Sequence, residues 1–91
     1  MPPLEHNSPV MFDQLHPQPF NAAELELVGI LSNIFVRNPL DRAWLRELAK
    51  VIRQDPAYPW PLPWKVRLRQ IGNLYRPQLP RHLHKLVRGM S

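Results

Sequence analysis

Residues able to support metal or thiol chemistry are scarce in this sequence. The four histidines are His6, His16, His82 and His84. The last two are two positions apart, so on a helix they point to different sides, whereas paired metal ligands on a helix need a separation of three or four residues. The chain has no cysteine, which excludes disulfides, thiolate metal sites and cysteine nucleophiles. We therefore expect neither a metal site nor a cofactor.

Carboxylates and hydroxyls do not suggest catalysis either. Glu24 and Asp41 stand where helix caps are expected, and the remaining acids form no recognisable acid/base pair. The serines, Ser8, Ser32 and Ser91, belong to no nucleophile motif, and three isolated glycines cannot build a phosphate-binding loop. The sequence predicts a protein with no catalytic residues and no small-molecule substrate, so we do not expect an enzyme.

Basic residues carry the one pattern with chemical meaning. The formal net charge is +5, and residues 60–91 hold seven bases and no acid, while residues 1–59 hold all seven acids and five bases. Such an asymmetry favours a surface that meets something acidic. The same charges could also serve only as a solvated face that keeps a small protein soluble.

Ten bases fall into stripes on three predicted helices and form the candidate binding set: Arg42, Arg46, Lys50, Arg53, Lys65, Arg69, Arg76, Arg81, Lys85 and Arg88. Nucleic-acid phosphates would accept hydrogen bonds from such side chains, and the carboxylates of an acidic protein would accept them equally well. Tyr58 and Trp60 are candidate aromatic contacts, which either close the core or are displayed to a partner.

These residues need a scaffold, and the sequence predicts an all-α bundle of about four helices with no strand. The first helix, at 21–37, is the most apolar, and Asn21 with Glu24 predicts a capping box at its start. It should end near Asn38 because Pro39 disfavours helical geometry in the residue before it. Its apolar residues cover most of its circumference, so we expect it at the centre of the core.

Three amphipathic helices are predicted after it, at 42–54, 63–75 and 81–88. Asp41 is the expected N-cap of the second helix, whose Trp44, Leu48 and Ile52 should pack on the first. A strap with four prolines from position 56 to position 63 separates the second helix from the third, and no helix or central strand survives that density of proline.

Length and composition fit one small domain. The chain has 91 residues, which leaves room for one helical domain at 21–91 after a proline-rich arm at 1–20 that we expect to be extended or mobile. No apolar run reaches the roughly 18 residues of a membrane span. The first residues lack the features of a signal peptide, so we expect a cytoplasmic protein that does not bind membranes.

Two interpretations of function follow. The first is a regulatory or scaffolding protein that binds an acidic protein surface, or a second copy of itself, through an apolar patch on the first helix and the basic C-terminal half. A homodimer is expected because three short helices should leave part of the first helix bare. The alternative is nucleic-acid binding through the basic faces of helices two to four. The sequence contains neither a glycine-bearing helix-turn-helix corner nor a sheet platform for single strands, which disfavours this alternative.

Overall fold

A computed structural model of the chain describes residues 16–89. Its four α-helices are α1 (Ala22–Leu31), α2 (Pro39–Gln54), α3 (Leu62–Leu74) and α4 (His84–Val87), with short 3-10 helices at Arg76–Gln78 and Arg81–Leu83 between the last two. The described part has no strand, and its one β-like feature is an isolated antiparallel bridge between Gln18 and Trp60. The predicted all-α class is confirmed, while residues 1–15 of the extended or mobile arm predicted at 1–20 lie outside the described residues.

The start of α1 is the predicted capping box. The Asn21 side chain accepts a hydrogen bond from the Glu24 backbone N–H at 2.9 Å, and the Glu24 carboxylate accepts one from the Asn21 backbone N–H at 2.9 Å. Each residue therefore satisfies a donor that the first turn of a helix would leave unpaired.

The end of α1 differs from the prediction, because the helix stops at Leu31 and not at residue 37. The Asn33 side-chain amide donates to the Gly29 carbonyl at 2.8 Å, which is the acceptor that the Asn33 backbone N–H would use in a continuing helix. That backbone N–H turns instead to the Ile30 carbonyl at 2.9 Å. Local bonding by a short polar side chain thus competes with the helix and ends it.

A non-helical connection, residues 32–38, joins α1 to α2 and separates apolar side chains that the prediction placed on one helix. Val36 is buried, whereas Phe35 is 70% exposed. Two hydrogen bonds hold the connection: Arg42 Nη1 donates to the Val36 carbonyl at 2.9 Å, and the Arg37 backbone N–H donates to the Tyr75 hydroxyl at 2.8 Å.

The start of α2 also corrects the prediction, since the N-cap is Asn38 and not Asp41. The Asn38 side-chain oxygen accepts from the backbone N–H groups of Leu40 at 2.8 Å and Asp41 at 3.4 Å. Pro39 is the first helical residue, where its fixed φ suits the helix and its missing N–H costs nothing. The same proline therefore begins α2 three residues earlier than predicted.

The last predicted helix, 81–88, is not one continuous α-helix. Arg81–Leu83 is wound as a 3-10 helix, with the Leu83 backbone N–H bonded to the Pro80 carbonyl at 3.0 Å, and a single α-helical turn, His84–Val87, follows. Leu83 and Val87 are both fully buried, so the segment still contributes its apolar side to the core.

The core lies where α1 packs against α2 and α3, with α4 closing over α3. Its fully buried side chains are Leu27, Leu31, Leu45, Leu48, Leu68, Leu83, Glu24, Val36 and Val87. Trp44 and Ile52 pack only partly buried against this cluster, so α2 buries a narrower face than predicted. Gly72 allows the close approach of α3, because a Cβ atom there would stand 2.7 Å from Val87 Cγ1 and 3.1 Å from Leu27 Cδ1.

The strap between α2 and α3 closes the remaining side of the core. Gln18 and Trp60 exchange backbone hydrogen bonds at 3.0 and 2.9 Å, and the indole of Trp60 stacks on Phe20 with ring centroids 5.1 Å apart. Trp60 is 4% exposed, as expected for a strap that covers the core. None of the helices within residues 16–89 is long and apolar enough to cross a membrane.

Candidate partner-binding surface

The predicted binding bases do not form one surface, because the two on α3 are engaged with a buried acid. Glu24 is 1% exposed, and its Oε2 lies 2.9 Å from Arg69 Nη2. Lys65 Nζ stands 4.0 Å from Glu24 Oε1 and donates to the Pro19 carbonyl at 3.1 Å. A buried carboxylate is tolerated only when charge partners and hydrogen bonds satisfy it, so Lys65 and Arg69 hold α3 on the start of α1.

The four bases of α2 are arranged differently and form what we call the basic ridge: Arg42, Arg46, Lys50 and Arg53. Their spacing of four, four and three residues places them on one side of the helix. Arg46, Lys50 and Arg53 are exposed, and within residues 16–89 no carboxylate forms an ion pair with any of them. Arg42 is half-buried, and its guanidinium carbon lies 5.3 Å from the centroid of the Phe35 ring.

A groove of about 360 Å³ lies between the basic ridge and the connection 32–38. Arg42, Arg46 and Arg53 line it together with Phe35 and Asn33, and no acidic side chain contributes to its lining. We call it the arginine groove. Leu40, in the first turn of α2, is 75% exposed. Exposed aromatic and arginine side chains around a concavity are the composition that protein interfaces favour.

The apolar patch predicted on the first helix is not where the sequence placed it. Leu25, Ile30 and Ile34 pack partly buried against the core, and the large exposed apolar side chains of this region are Phe35 and Leu40. The reason is the early end of α1, which moves the last predicted apolar positions off the helix. The expected homodimer depended on a bare first helix and stays a prediction without that support.

The C-terminal bases are exposed but do not align. Arg76, Arg81, Lys85 and Arg88 all lie on the surface. Arg81 belongs to a 3-10 helix and Lys85 to the short α4, so the regular stripe expected on a single α-helix does not form. Among the neighbouring groups, the His82 ring lies 2.8 Å from the Glu26 carboxylate.

A second concavity lies beside α2, and sequence reasoning did not identify it. We call it the aromatic groove: it measures about 490 Å³ and is lined by Ala43, Trp44, Glu47, Leu48, Val51, Tyr58, Trp60, Pro61 and Trp64. Of the predicted aromatic contacts, Tyr58 is 41% exposed at this groove, while the largely buried Trp60 forms part of its wall.

Arg67 of α3, which is not in the predicted binding set, also has defined contacts in the structure. Its guanidinium carbon lies 4.5 Å from the centroid of the Trp44 ring, and its Nη2 lies 3.2 Å from Asp41 Oδ1. The residue ties the start of α2 to α3. Neither partner is near it in sequence, so no local pattern could have indicated this contact.

No group of three or more His, Asp or Glu side chains within residues 16–89 is placed to hold a metal ion. Comparisons of the chain with protein-family models, with curated protein sequences and with solved structures give no significant match. The two grooves beside α2 and the charges around them are therefore the features of the molecule that bear on its function.

Proposed function

We propose that this chain is a non-enzymatic, cytoplasmic binding protein that regulates or scaffolds by docking an acidic segment of another protein on the basic ridge and in the arginine groove. The observation that carries the proposal is the set of exposed, unpaired bases on one helix beside exposed apolar side chains. Arg46 and Lys50 supply charge without an internal counter-ion, and Phe35 supplies an apolar anchor.

The basic ridge is about as long as a short α-helix of a partner protein. From Arg42 to Arg53 the helix rises about 16 Å at the standard 1.5 Å per residue. An amphipathic partner helix with acidic residues at intervals of three or four positions would match these bases over about three turns. Its apolar side would then face Phe35, which lines the arginine groove. Such helix-in-groove docking is a recurrent mode of peptide recognition.

The exposed apolar residues favour a protein partner over nucleic acid. Burying a side chain such as Leu40 or Phe35 against another apolar group contributes about 1.5–3 kcal/mol, whereas a phosphate backbone offers no apolar surface of this kind. The basic ridge alone would serve nucleic acid equally well. Nucleic-acid binding is therefore the second candidate, and salt dependence separates the two.

A fluorescence anisotropy titration tests the proposal, with a labelled amphipathic acidic peptide and a labelled random DNA duplex as alternative probes. We expect the peptide to bind, and the double charge reversal Arg46→Glu with Lys50→Glu to weaken its binding by tenfold or more, on the order of 1.4 kcal/mol. The matched control is Arg81→Glu with Lys85→Glu, which changes the net charge equally but lies away from α2.

The titration with duplex DNA decides between an acidic protein and nucleic acid as the partner. If four ridge side chains neutralise four phosphates, a plot of log binding constant against log salt concentration should have a slope of about −3.6. Duplex binding with that slope, together with no peptide binding, would replace the proposal with the nucleic-acid alternative. Phe35→Ser provides a further check, because it should weaken the peptide complex and leave contacts to phosphates unchanged.

A further inference from the structure

The aromatic groove lies on the flank of α2 next to the basic ridge, about 100° around the helix axis from it. Ala43, Glu47 and Val51, at intervals of four residues, form one side of it. The other side is built by the strap and the first turn of α3. Its chemistry differs from that of the arginine groove, because the lining contains aromatic and aliphatic side chains and a single charged one, Glu47.

The strap side of this groove is a continuous wall of rings. Tyr58 meets Trp60 edge to face at 4.8 Å, Trp60 meets Trp64 at 5.4 Å, and Trp64 stacks on Trp44 at 5.5 Å. Tyr58 and Trp64 are the exposed members of the wall. Because aromatic faces are electron-rich, such a wall attracts cations as well as apolar groups.

Glu47 is the unusual group in the groove. Within residues 16–89 it is the one carboxylate that accepts no hydrogen bond and forms no ion pair. Each of the others has a partner: Glu24 has Arg69, Glu26 has His82, Asp41 has Arg67, and Asp55 accepts from the Ala57 backbone N–H. An unpaired carboxylate opposite a wall of rings is complementary to a guanidinium or ammonium group.

We propose that the aromatic groove binds a proline-rich segment of another protein that carries an arginine, with the arginine directed to Glu47. Proline suits this wall because it has no N–H to leave unpaired against apolar side chains, and extended proline-rich segments dock in aromatic-lined grooves. The chain itself provides a precedent for the cation, since the guanidinium of Arg67 lies over Trp44.

Two segments of this chain are poorer occupants. Residues 1–15 contain Pro2, Pro3 and Pro9, but they have two acids and no lysine or arginine, so their charge does not complement Glu47. The proline-rich strap already forms the wall of the groove and is tied to Gln18 through Trp60. A second copy of the chain would therefore offer neither segment in a suitable form.

The test is a titration of the full chain, followed by intrinsic tryptophan emission, with a short proline-rich peptide that carries one central arginine. The matched probe is the same peptide with glutamate in place of arginine. We expect a saturable change with the arginine peptide and affinity lower by about tenfold or more with the glutamate peptide. Equal affinities, or tighter binding of the glutamate peptide, would overturn the proposal.

Two variants test whether the peptide binds in the aromatic groove. Glu47→Gln should weaken the arginine peptide by about fivefold or more, and Tyr58→Ala should weaken both peptides. Glu26→Gln is the control for Glu47, because it removes a carboxylate elsewhere on the surface, and its affinity should match that of the unmodified chain. An unchanged affinity of Glu47→Gln would overturn the assignment of the arginine.

Sedimentation and a cross-titration complete the test. A dimer of the unmodified chain that Tyr58→Ala dissociates would assign the groove to a second copy and overturn the proposal. Glu47→Gln should bind the acidic peptide of the ridge experiment at least as tightly as the unmodified chain, since it removes a negative charge that directly follows Arg46 and lies one turn from Lys50. Failure of the ridge to bind its peptide leaves the outcome at Glu47 unaffected, so the two proposals fail separately.

Discussion

The bases of α3 and those of α2 are the same residue types at the same helical spacing, yet they lie in opposite settings. Lys65 and Arg69 are four residues apart and meet the buried carboxylate of Glu24. Arg46 and Lys50 are also four residues apart and meet no carboxylate within residues 16–89. A basic stripe therefore indicates which side of a helix carries charge. Its role depends on what the fold places opposite it.

The largest effect should come from removing the α3 side of this comparison. Arg69→Ala leaves Glu24 buried with Lys65 at a distance of 4.0 Å as its remaining basic partner, and should cost about 2–3 kcal/mol of unfolding free energy, the upper part of the range for a hydrogen bond to a charged group. Urea denaturation followed by far-UV circular dichroism measures it. The control is Arg46→Ala, which should change stability by less than about 0.5 kcal/mol. Equal losses for both variants would mean that the two sets of bases do not differ in role.

The substitution Gly72→Ala tests whether close packing, as well as charge, holds α3 in place. The added Cβ would stand 2.7 Å from Val87 Cγ1, and overpacking of this kind costs about 1–3 kcal/mol, part of which the better helix propensity of alanine offsets by about 1 kcal/mol. We expect a net loss of stability by urea denaturation. Gly29→Ala is the control, because its Cβ would meet nothing within 4 Å and should stabilise α1. A stabilised Gly72→Ala would show that Val87 moves aside readily.

Arg42 lies between the two cases, because it belongs to the ridge and also bonds within the fold. Arg42→Ala removes the hydrogen bond to the Val36 carbonyl and the contact with the Phe35 ring, and should cost about 1–2 kcal/mol. Thermal unfolding should therefore place it between Arg69→Ala and Arg46→Ala. A melting temperature equal to that of the unmodified chain would assign Arg42 wholly to the exposed ridge.

The smallest effect on stability belongs to the exposed ridge itself. Replacing Arg46, Lys50 and Arg53 together by alanine should change the unfolding free energy by less than about 1 kcal/mol, since exposed side chains without partners contribute little. The same variant should abolish binding of the acidic peptide in the anisotropy titration. A large loss of stability would show that the ridge has an internal partner and would weaken its assignment as a binding surface.

The sequence predicted the presence of the helices better than it predicted their ends or their long-range contacts. The capping box of α1 and the presence of four helical segments depend on neighbouring residues, so the sequence could predict them. The prediction missed the end of α1 because the Asn33 side chain bonds to the Gly29 carbonyl in place of the backbone N–H. The spacing of apolar residues, on which the prediction was based, contains no sign of such a bond. The second role of Glu24 was missed because Arg69 is 45 residues away in the chain.

The features of the candidate site also differ in how far the sequence could predict them. The basic ridge follows from the spacing of its bases on one helix, which the sequence contains. The exposure of Phe35 depends on where α1 ends, and the aromatic groove depends on how the strap folds back on α2. Neither follows from local spacing. Glu47 differs from the other described carboxylates in having no partner, and this difference is visible only when the partners of the others are known.

The bridge between Gln18 and Trp60 makes the residues just before α1 part of the packed domain. A fragment beginning at residue 21, the predicted domain boundary, would lack both Phe20 and the backbone partner of Trp60, although its helices would be complete. The uncovered indole would then become solvent-accessible at the junction of strap and α3. A proteolytic cut after Phe20 should therefore release a product that exposes this indole and aggregates readily.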